Sequence, residues 1–259
     1  TEEYTVTSDR IGSDVKIVLI SDLHDHTFGE KNKELVQMLK DQKPDLILMA
    51  GDMINDVSKD SHVAVELIEQ VKDIAPVYYS LGNQEEDYIG RGTSDLLNEL
   101  KDAGAIVLDE SYQDIQVNGN AIRLGGMYDY AFALDGNNTT TKESMRPSLY
   151  QFLTDFQDTD SYRLMMAHRP DSFIFGDAAK TWEIDLVVSG HNHGGQVILP
   201  FLGGIYGGDQ GWFPKYVDGV HHFKKVKNMV ITRGLGSGEE KLPRFNNKPE
   251  VVMIYLEKE

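Results

Sequence analysis

Three short, unbroken apolar runs, Ile17-Val18-Leu19-Ile20, Leu46-Ile47-Leu48-Met49-Ala50 and Val77-Tyr78-Tyr79-Ser80, constrain this chain more than any other feature. A strand with one wet face alternates in polarity, whereas a run without a polar break belongs to a strand covered on both faces. Between the runs lie stretches of helical spacing. Leu35, Met38, Leu39 and Gln42 predict a helix over 31–42, stopped by Pro44, and Ala64, Leu67, Ile68 and Val71 predict one over 60–73. Leu96, Leu100 and Ala103 share a face in a third, over 93–103. This rhythm predicts an α/β fold with parallel strands joined by right-handed crossovers. Tyr4-Thr5-Val6-Thr7 reads as an edge strand ahead of them.

From residue 111 the pattern changes. Ile115 and Val117 alternate with polar residues, Asn118-Gly119 supplies a tight turn, and Ile122 and Leu124 alternate again, which predicts a hairpin opening a second, more antiparallel sheet. A polar loop over 135–142 contains the sequon Asn138-Thr139-Thr140, and a helix follows over 144–156. Strands are expected at 163–167, ending at His168, and at 185–188, ending at Gly190. Residues 203–219, rich in glycine and aromatics, read as a long loop, and strands at 229–232 and 251–256 are expected to close the second sheet. With no repeat or linker, 259 residues suit a single domain over 1–259.

A formal charge of −17 argues against nucleic acid, or anionic lipid, held by a basic face. An anionic substrate would need bound cations, the largest local charges a site can carry. The absence of cysteine excludes disulfides, thiolate metal sites and a cysteine nucleophile. No apolar run approaches the roughly 18 residues of a membrane span. The chain begins at Thr1 without an initiator Met, which suggests a trimmed product and leaves room for a leader or membrane anchor upstream.

Residues of metal-ligand type follow five of the apolar strands: Asp22 and His24, Asp52, Asn83, His168, and His191 with His193. Each alone fits a duller role, a turn or cap for Asp22, Asp52 and Asn83, a satisfied core histidine for His168, and surface histidines in a glycine loop for the pair. Together they are harder to dismiss. In open α/β sheets the carboxyl ends of the strands face one crevice, so these groups are expected to converge there as a dinuclear site. Carboxylate, amide oxygen and imidazole suit two divalent ions such as Mn, Fe or Zn.

The blocks Asp22-Leu23-His24, Gly51-Asp52, Gly82-Asn83, His168 and Gly190-His191-Asn192-His193-Gly194-Gly195-Gln196 resemble the calcineurin-like metallophosphoesterases, in the bacterial branch whose signature runs on into Gly-Gly-Gln. Phe213-Pro214-Lys215-Tyr216, Arg233-Gly234-Leu235-Gly236 and Pro249-Glu250 extend the resemblance over nearly the whole chain. It implies two packed mixed β-sheets flanked by helices, an αββα sandwich. It also implies that Asp22, His24, Asp52 and His193 hold one ion and Asp52, Asn83, His168 and His191 the other, with Asp52 bridging. Two ions about 3.5–4 Å apart activate a water for in-line attack at phosphorus and clamp the phosphate, so hydrolysis of a phosphate ester is implied, on a small-molecule or lipid-linked substrate. Relatives that sit beside a membrane segment suggest an anchored, extracytoplasmic setting.

One position departs from the pattern. Where the family carries His after Gly-Asn, this chain has Gln84, then Glu85. An amide donates a hydrogen bond but delivers no proton, and general acid catalysis is worth about 10²–10⁴-fold. Four readings follow: a substrate with a good leaving group, His26 standing in as the acid, an introduced change that disables turnover, or a metal-bearing domain that binds a phosphorylated ligand without cleaving it. Arg169, Arg233 and Arg244 are candidates for holding phosphate, or for structural ion pairs.

Overall fold

A computed structural model describes residues 1–92, 95–137, 139–237 and 242–259. The first half of the chain carries strands β1 (Glu2–Ser8), β2 (Val15–Ile20), β3 (Leu46–Ala50), β4 (Val77–Ser80) and β5 (Ile106–Val107). Between them run helices α1 (Lys33–Gln42), α2 (His62–Val71), α3 (Asn83–Gly90) and α4 (Leu96–Ala103). The second half carries β6 (Ser111–Val117), β7 (Asn120–Met127), α5 (Pro147–Gln157), β8 (Tyr162–Ala167), two short helices α6 (Asp171–Ile174) and α7 (Ala178–Thr181), and β9 (Ile184–Ser189). Two small hairpins follow, β10 (Ile198–Leu199) with β11 (Gly203–Gly204) and β12 (Tyr206–Gly207) with β13 (Gly211–Trp212). The chain then runs through β14 (Gly219–His222), β15 (Val226–Ile231) and β16 (Val252–Lys258).

Two six-stranded sheets result, in the orders β1-β16-β2-β3-β4-β5 and β14-β15-β9-β8-β7-β6. Alternation within each strand explains the unbroken apolar runs. Val18, Ile20, Ile47 and Met49 face α1, α2 and α4 with Leu35, Leu39, Leu67 and Leu100. Ile17, Leu19, Leu46 and Leu48 turn the other way and meet Ile122, Leu124, Leu164, Met166, Leu186 and Val188 of the second sheet. On that sheet's far face, Met165, Val187 and Ile231 pack under Leu149, Phe152 and Phe156 of α5 and Trp182 after α7. The layers are thus helix, sheet, sheet, helix, and each fully buried aliphatic side chain contributes about 1.5–3 kcal/mol by leaving water.

The topology corrects three expectations and adds one helix. The last strand does not close the second sheet: β16 lies in the first, antiparallel to β2 and parallel to β1. The second sheet is parallel through its middle (β15, β9, β8, β7) and antiparallel only at its two outer pairs. The stretch 203–219 holds paired strands as well as loop. The added helix is α3, which starts at Asn83 on a polar segment without a long apolar stripe. The third predicted helix starts at Leu96, its residues 93–94 lying outside the described residues, as does Asn138 of the sequon.

Candidate metal centre

The crevice forms where β2, β3, β4, β8 and β9 end, and the loops leaving them are short and sharply turned. Asp22, His24, Asp52, His191 and His193 all have left-handed backbone, with φ of 56°, 50°, 53°, 70° and 44°. Such a conformation costs a non-glycine residue about 1–2 kcal/mol, so the surrounding fold has to enforce it. Close glycines make the turns feasible. A Cβ on Gly82 would sit 2.6 Å from the Asp52 amide nitrogen and collide with its carboxylate, and one on Gly190 would collide with Asp22 and Ser21.

Two clusters result, Asp22 with His24 and His193, and Asp52 with His168 and His191, each with one ligand atom per residue inside 4.8 Å of the others. Asp52 joins them, because its Oδ2 lies 3.1 Å from His168 Nε2 and 3.9 Å from His24 Nε2. Asp22 Oδ1 is 3.6 Å from His193 Nε2 and 4.0 Å from His168 Nε2. Six of the seven expected ligands are therefore brought together at the carboxyl ends of the strands. The seventh, Asn83, at the start of α3, has a buried Oδ1 without a hydrogen-bond partner.

The histidines are oriented from behind. His24 Nδ1 donates to Asn55 Oδ1 at 2.9 Å, and His168 Nδ1 donates to the Ala50 carbonyl at 2.7 Å. Each leaves a buried Nε2 for the cluster, without a hydrogen bond in the strict geometric sense, His168 Nε2 facing Asp52 Oδ2 at 3.1 Å. Buried polar atoms are rarely left so, and an outer hydrogen bond that fixes the tautomer is the usual support of a metal-binding imidazole. The residues fit divalent cations. Without them the charges balance one another. Burial opposes ionisation of Asp22 and Asp52, but the facing histidines outweigh it and both carboxyls lie below their ordinary range. Burial also opposes a charge on His168, yet Asp52, Asp22 and the Ala50 carbonyl push it up to about 9, whereas burial holds His24 and His191 down.

Glu85, unremarked as a functional residue in the sequence, anchors the site. It is fully buried, and its carboxylate accepts the backbone N–H groups of Asp52, Met53 and Gly82, each at 2.8 Å, and the Tyr79 hydroxyl at 2.7 Å. Asn55 was equally invisible, yet it accepts from His24 Nδ1 and donates to the His24 carbonyl and to Asp25.

The remaining candidates are placed differently. Gln84 donates its backbone N–H to Asp52 Oδ1 and accepts the Asp56 N–H through its side-chain oxygen at 2.8 Å. His26 is exposed, its ring edge-on to Phe28 at 4.8 Å. Arg169 stacks over Tyr128 and Tyr130 and donates to the Tyr130 hydroxyl. Arg233 is committed to Glu250 and Glu2, and Arg244 to the Gly236 and Arg233 carbonyls, with one nitrogen 3.3 Å from His193 Nδ1. These two arginines brace the loops; neither presents a free fork for phosphate.

Comparison with known proteins agrees with this geometry. A model of the calcineurin-like phosphoesterase family matches residues 15–195. The phosphodiesterase YaeI of Escherichia coli is 29% identical over 245 residues, spanning 93% of this chain and 82% of its own length. The uncharacterized metallophosphoesterase YkuE of Bacillus subtilis is 29% identical over 99% of this chain and 85% of itself. A putative metallophosphoesterase of Caenorhabditis elegans is 29% identical over 73% of this chain, which spans 38% of that longer protein. Among solved structures, a 5′-nucleotidase precursor from Thermus thermophilus superposes with a TM-score of 0.50 at 16% identity, over 87% of this chain and 49% of that one, a likeness of fold. No helix among the described residues is long and apolar enough to cross a membrane.

Proposed function

This chain belongs to the calcineurin-like phosphoesterase family, and on that premise we propose that it is a two-ion phosphodiesterase whose substrate has a leaving group that departs without a protein acid. The observation that carries the reading is Asp52 Oδ2, which faces a histidine of each cluster at once. Asp22, His24, Asp52 and His193 would hold one ion, and Asp52, Asn83, His168 and His191 the other. When bound, the ions supply Lewis acidity, lowering the pKa of a water and neutralising charge at phosphorus.

The chain's own groups do the rest. Asn55 and the Ala50 carbonyl keep His24 and His168 in the ligating tautomer. Glu85 fixes the backbone under Asp52. The Gln84 oxygen is taken by Asp56, so the amide offers N–H groups to a phosphoryl oxygen and has no proton to give a leaving group. The diesterase named among the relatives supports this choice of ester. Exposed Trp212 and Phe213, next to the β12–β13 turn whose Gly208 lies against His191, favour a substrate with an apolar, lipid-like portion.

The Mn-loaded protein is expected to hydrolyse bis-p-nitrophenyl phosphate faster than p-nitrophenyl phosphate, with Asp52→Asn abolishing both reactions. No turnover of either ester by fully loaded protein would overturn the reading. It would favour the alternative, a binding or sensor domain whose activity Gln84→His would create.

A further inference from the structure

Behind each of two candidate ligand histidines stands an acceptor, Asn55 for His24 and the Ala50 carbonyl for His168. His191 needs the same support, and its Nε2 is buried and has no hydrogen bond. The β12–β13 hairpin crosses that end of the ring. A Cβ on Gly208 would come within 2.8 Å of Nε2, so only glycine lets the backbone pass there. The next residue, Asp209, brings its Oδ2 to 3.5 Å from Nε2. The same oxygen accepts the Tyr130 hydroxyl at 2.7 Å and lies 3.8 Å from Arg169 Nε.

We propose that Asp209 is a positioning residue of the second ion: its carboxylate receives the Nε2 proton of His191, so that Nδ1 is the nitrogen offered to the metal. Asp209 does not join Asp52, His168 and His191 within mutual ligand distance, which places it behind the histidine and not beside it. A rotation of a few tenths of an ångström closes the 3.5 Å gap to a hydrogen bond. Because Asp209 also holds Tyr130, and through it Arg169, the carboxylate ties the metal centre to the arginine available on that wall for a phosphate oxygen. The hairpin that carries Asp209 thereby becomes part of the metal site, although it contributes no ligand. The inference rests on the two-ion reading above.

Calorimetric titration of metal-free protein with Co²⁺, with bound metal counted after dialysis, tests it. Wild type is expected to take two ions. Asp209→Ala is expected to take one as tightly as wild type and the other 10–100-fold more weakly, with Asp209→Asn, whose amide oxygen still accepts from Nε2, in between. A merely structural role would weaken both ions together, or lower the melting temperature of the metal-free variant and leave both affinities alone; either result overturns the proposal. Wild-type protein that takes fewer than two ions overturns the two-ion reading itself. Tyr130→Phe, which removes a neighbour of Asp209 without touching His191, is expected to leave both affinities unchanged, and a selective loss there would shift the role from Asp209 to Tyr130.

Discussion

Replacing Glu85 by Gln keeps the shape of the side chain and removes one accepting oxygen. In the native site one oxygen takes the Asp52 and Gly82 N–H groups and the other takes Met53 N–H and the Tyr79 hydroxyl. The best arrangement for Gln turns its NH₂ toward Tyr79, whose hydroxyl can reverse and accept. Met53 N–H is then orphaned in a fully buried site, at about 1–3 kcal/mol, and the two bonds to Asp52 and Gly82 fall from charge-assisted to neutral strength, at about 1 kcal/mol each. Burial first, and then the Asp52 charge, raises the Glu85 pKa, so the neutral amide recovers part of this by removing an unfavourable charge. The net loss is about 2–3 kcal/mol. Urea unfolding of the metal-free protein at neutral pH measures it, with calorimetric metal binding expected to weaken in parallel because Asp52 loses its backbone clamp. A change below about 0.5 kcal/mol, the range of an unremarkable surface substitution, would refute the claim that Glu85 organises this loop.

In metal-free protein His168 is raised from 6.5 to about 9. A raised folded-state pKa stabilises fully below the unfolded value and is lost as pH rises through the folded one. Stability is therefore expected to fall between pH 6.5 and 9.5, by about 3 kcal/mol, read as a falling melting temperature, while metal-loaded protein, whose His168 holds no proton, shows no such decline; a flat metal-free profile would contradict the assignment. Gly82→Ala places a Cβ 2.6 Å from the Asp52 amide nitrogen at an ordinary φ of −111°, so the penalty is purely spatial. Loss of metal content by elemental analysis and destabilisation of at least about 2 kcal/mol are expected. Asn55→Ala removes the acceptor behind His24 and is expected to weaken one ion about 10–100-fold with the other unchanged, read by the same titration.

Much of this centre was legible in the sequence because its information is local. An apolar run such as Leu46–Ala50 announces a strand buried on both faces, and Asp52, two residues past it, must then emerge at the strand's carboxyl end. Three such ends, of β2, β3 and β4, lie on one sheet and two, of β8 and β9, on the other, so their meeting also depends on how the two sheets stack. What escaped was nonlocal or counter to type. The run at 251–256 carries no mark of its partner, and its insertion beside β2 is settled by packing across the whole fold. Glu85 drew no role from the sequence beyond following Gln84, since glutamate is almost never buried unless its charge is met, here by three backbone N–H groups and a tyrosine. Asp209 sat unnoticed in a glycine-rich stretch whose hairpin has strands of two residues each, too short for any periodicity to register. Arg233 and Arg244 carried the right charge, and only the positions of Glu250 and two carbonyl groups reveal that it is already engaged.

The seat of β16 bears on how the molecule is made. Among the described residues β1 (Glu2–Ser8) pairs within its sheet with β16 (Val252–Lys258) alone, a strand made much later, and β2 is flanked on that side by the same strand. On the ribosome, β2 through β5 can assemble early, while one rim of β2 stays bare until residue 258 clears the exit tunnel, an invitation to wrong partners that a folding helper would have to shield. Stalled nascent chains ending before residue 252 are expected to leave residues 2–8 open to protease, and protection of that segment in such chains would show that β1 docks without its neighbour.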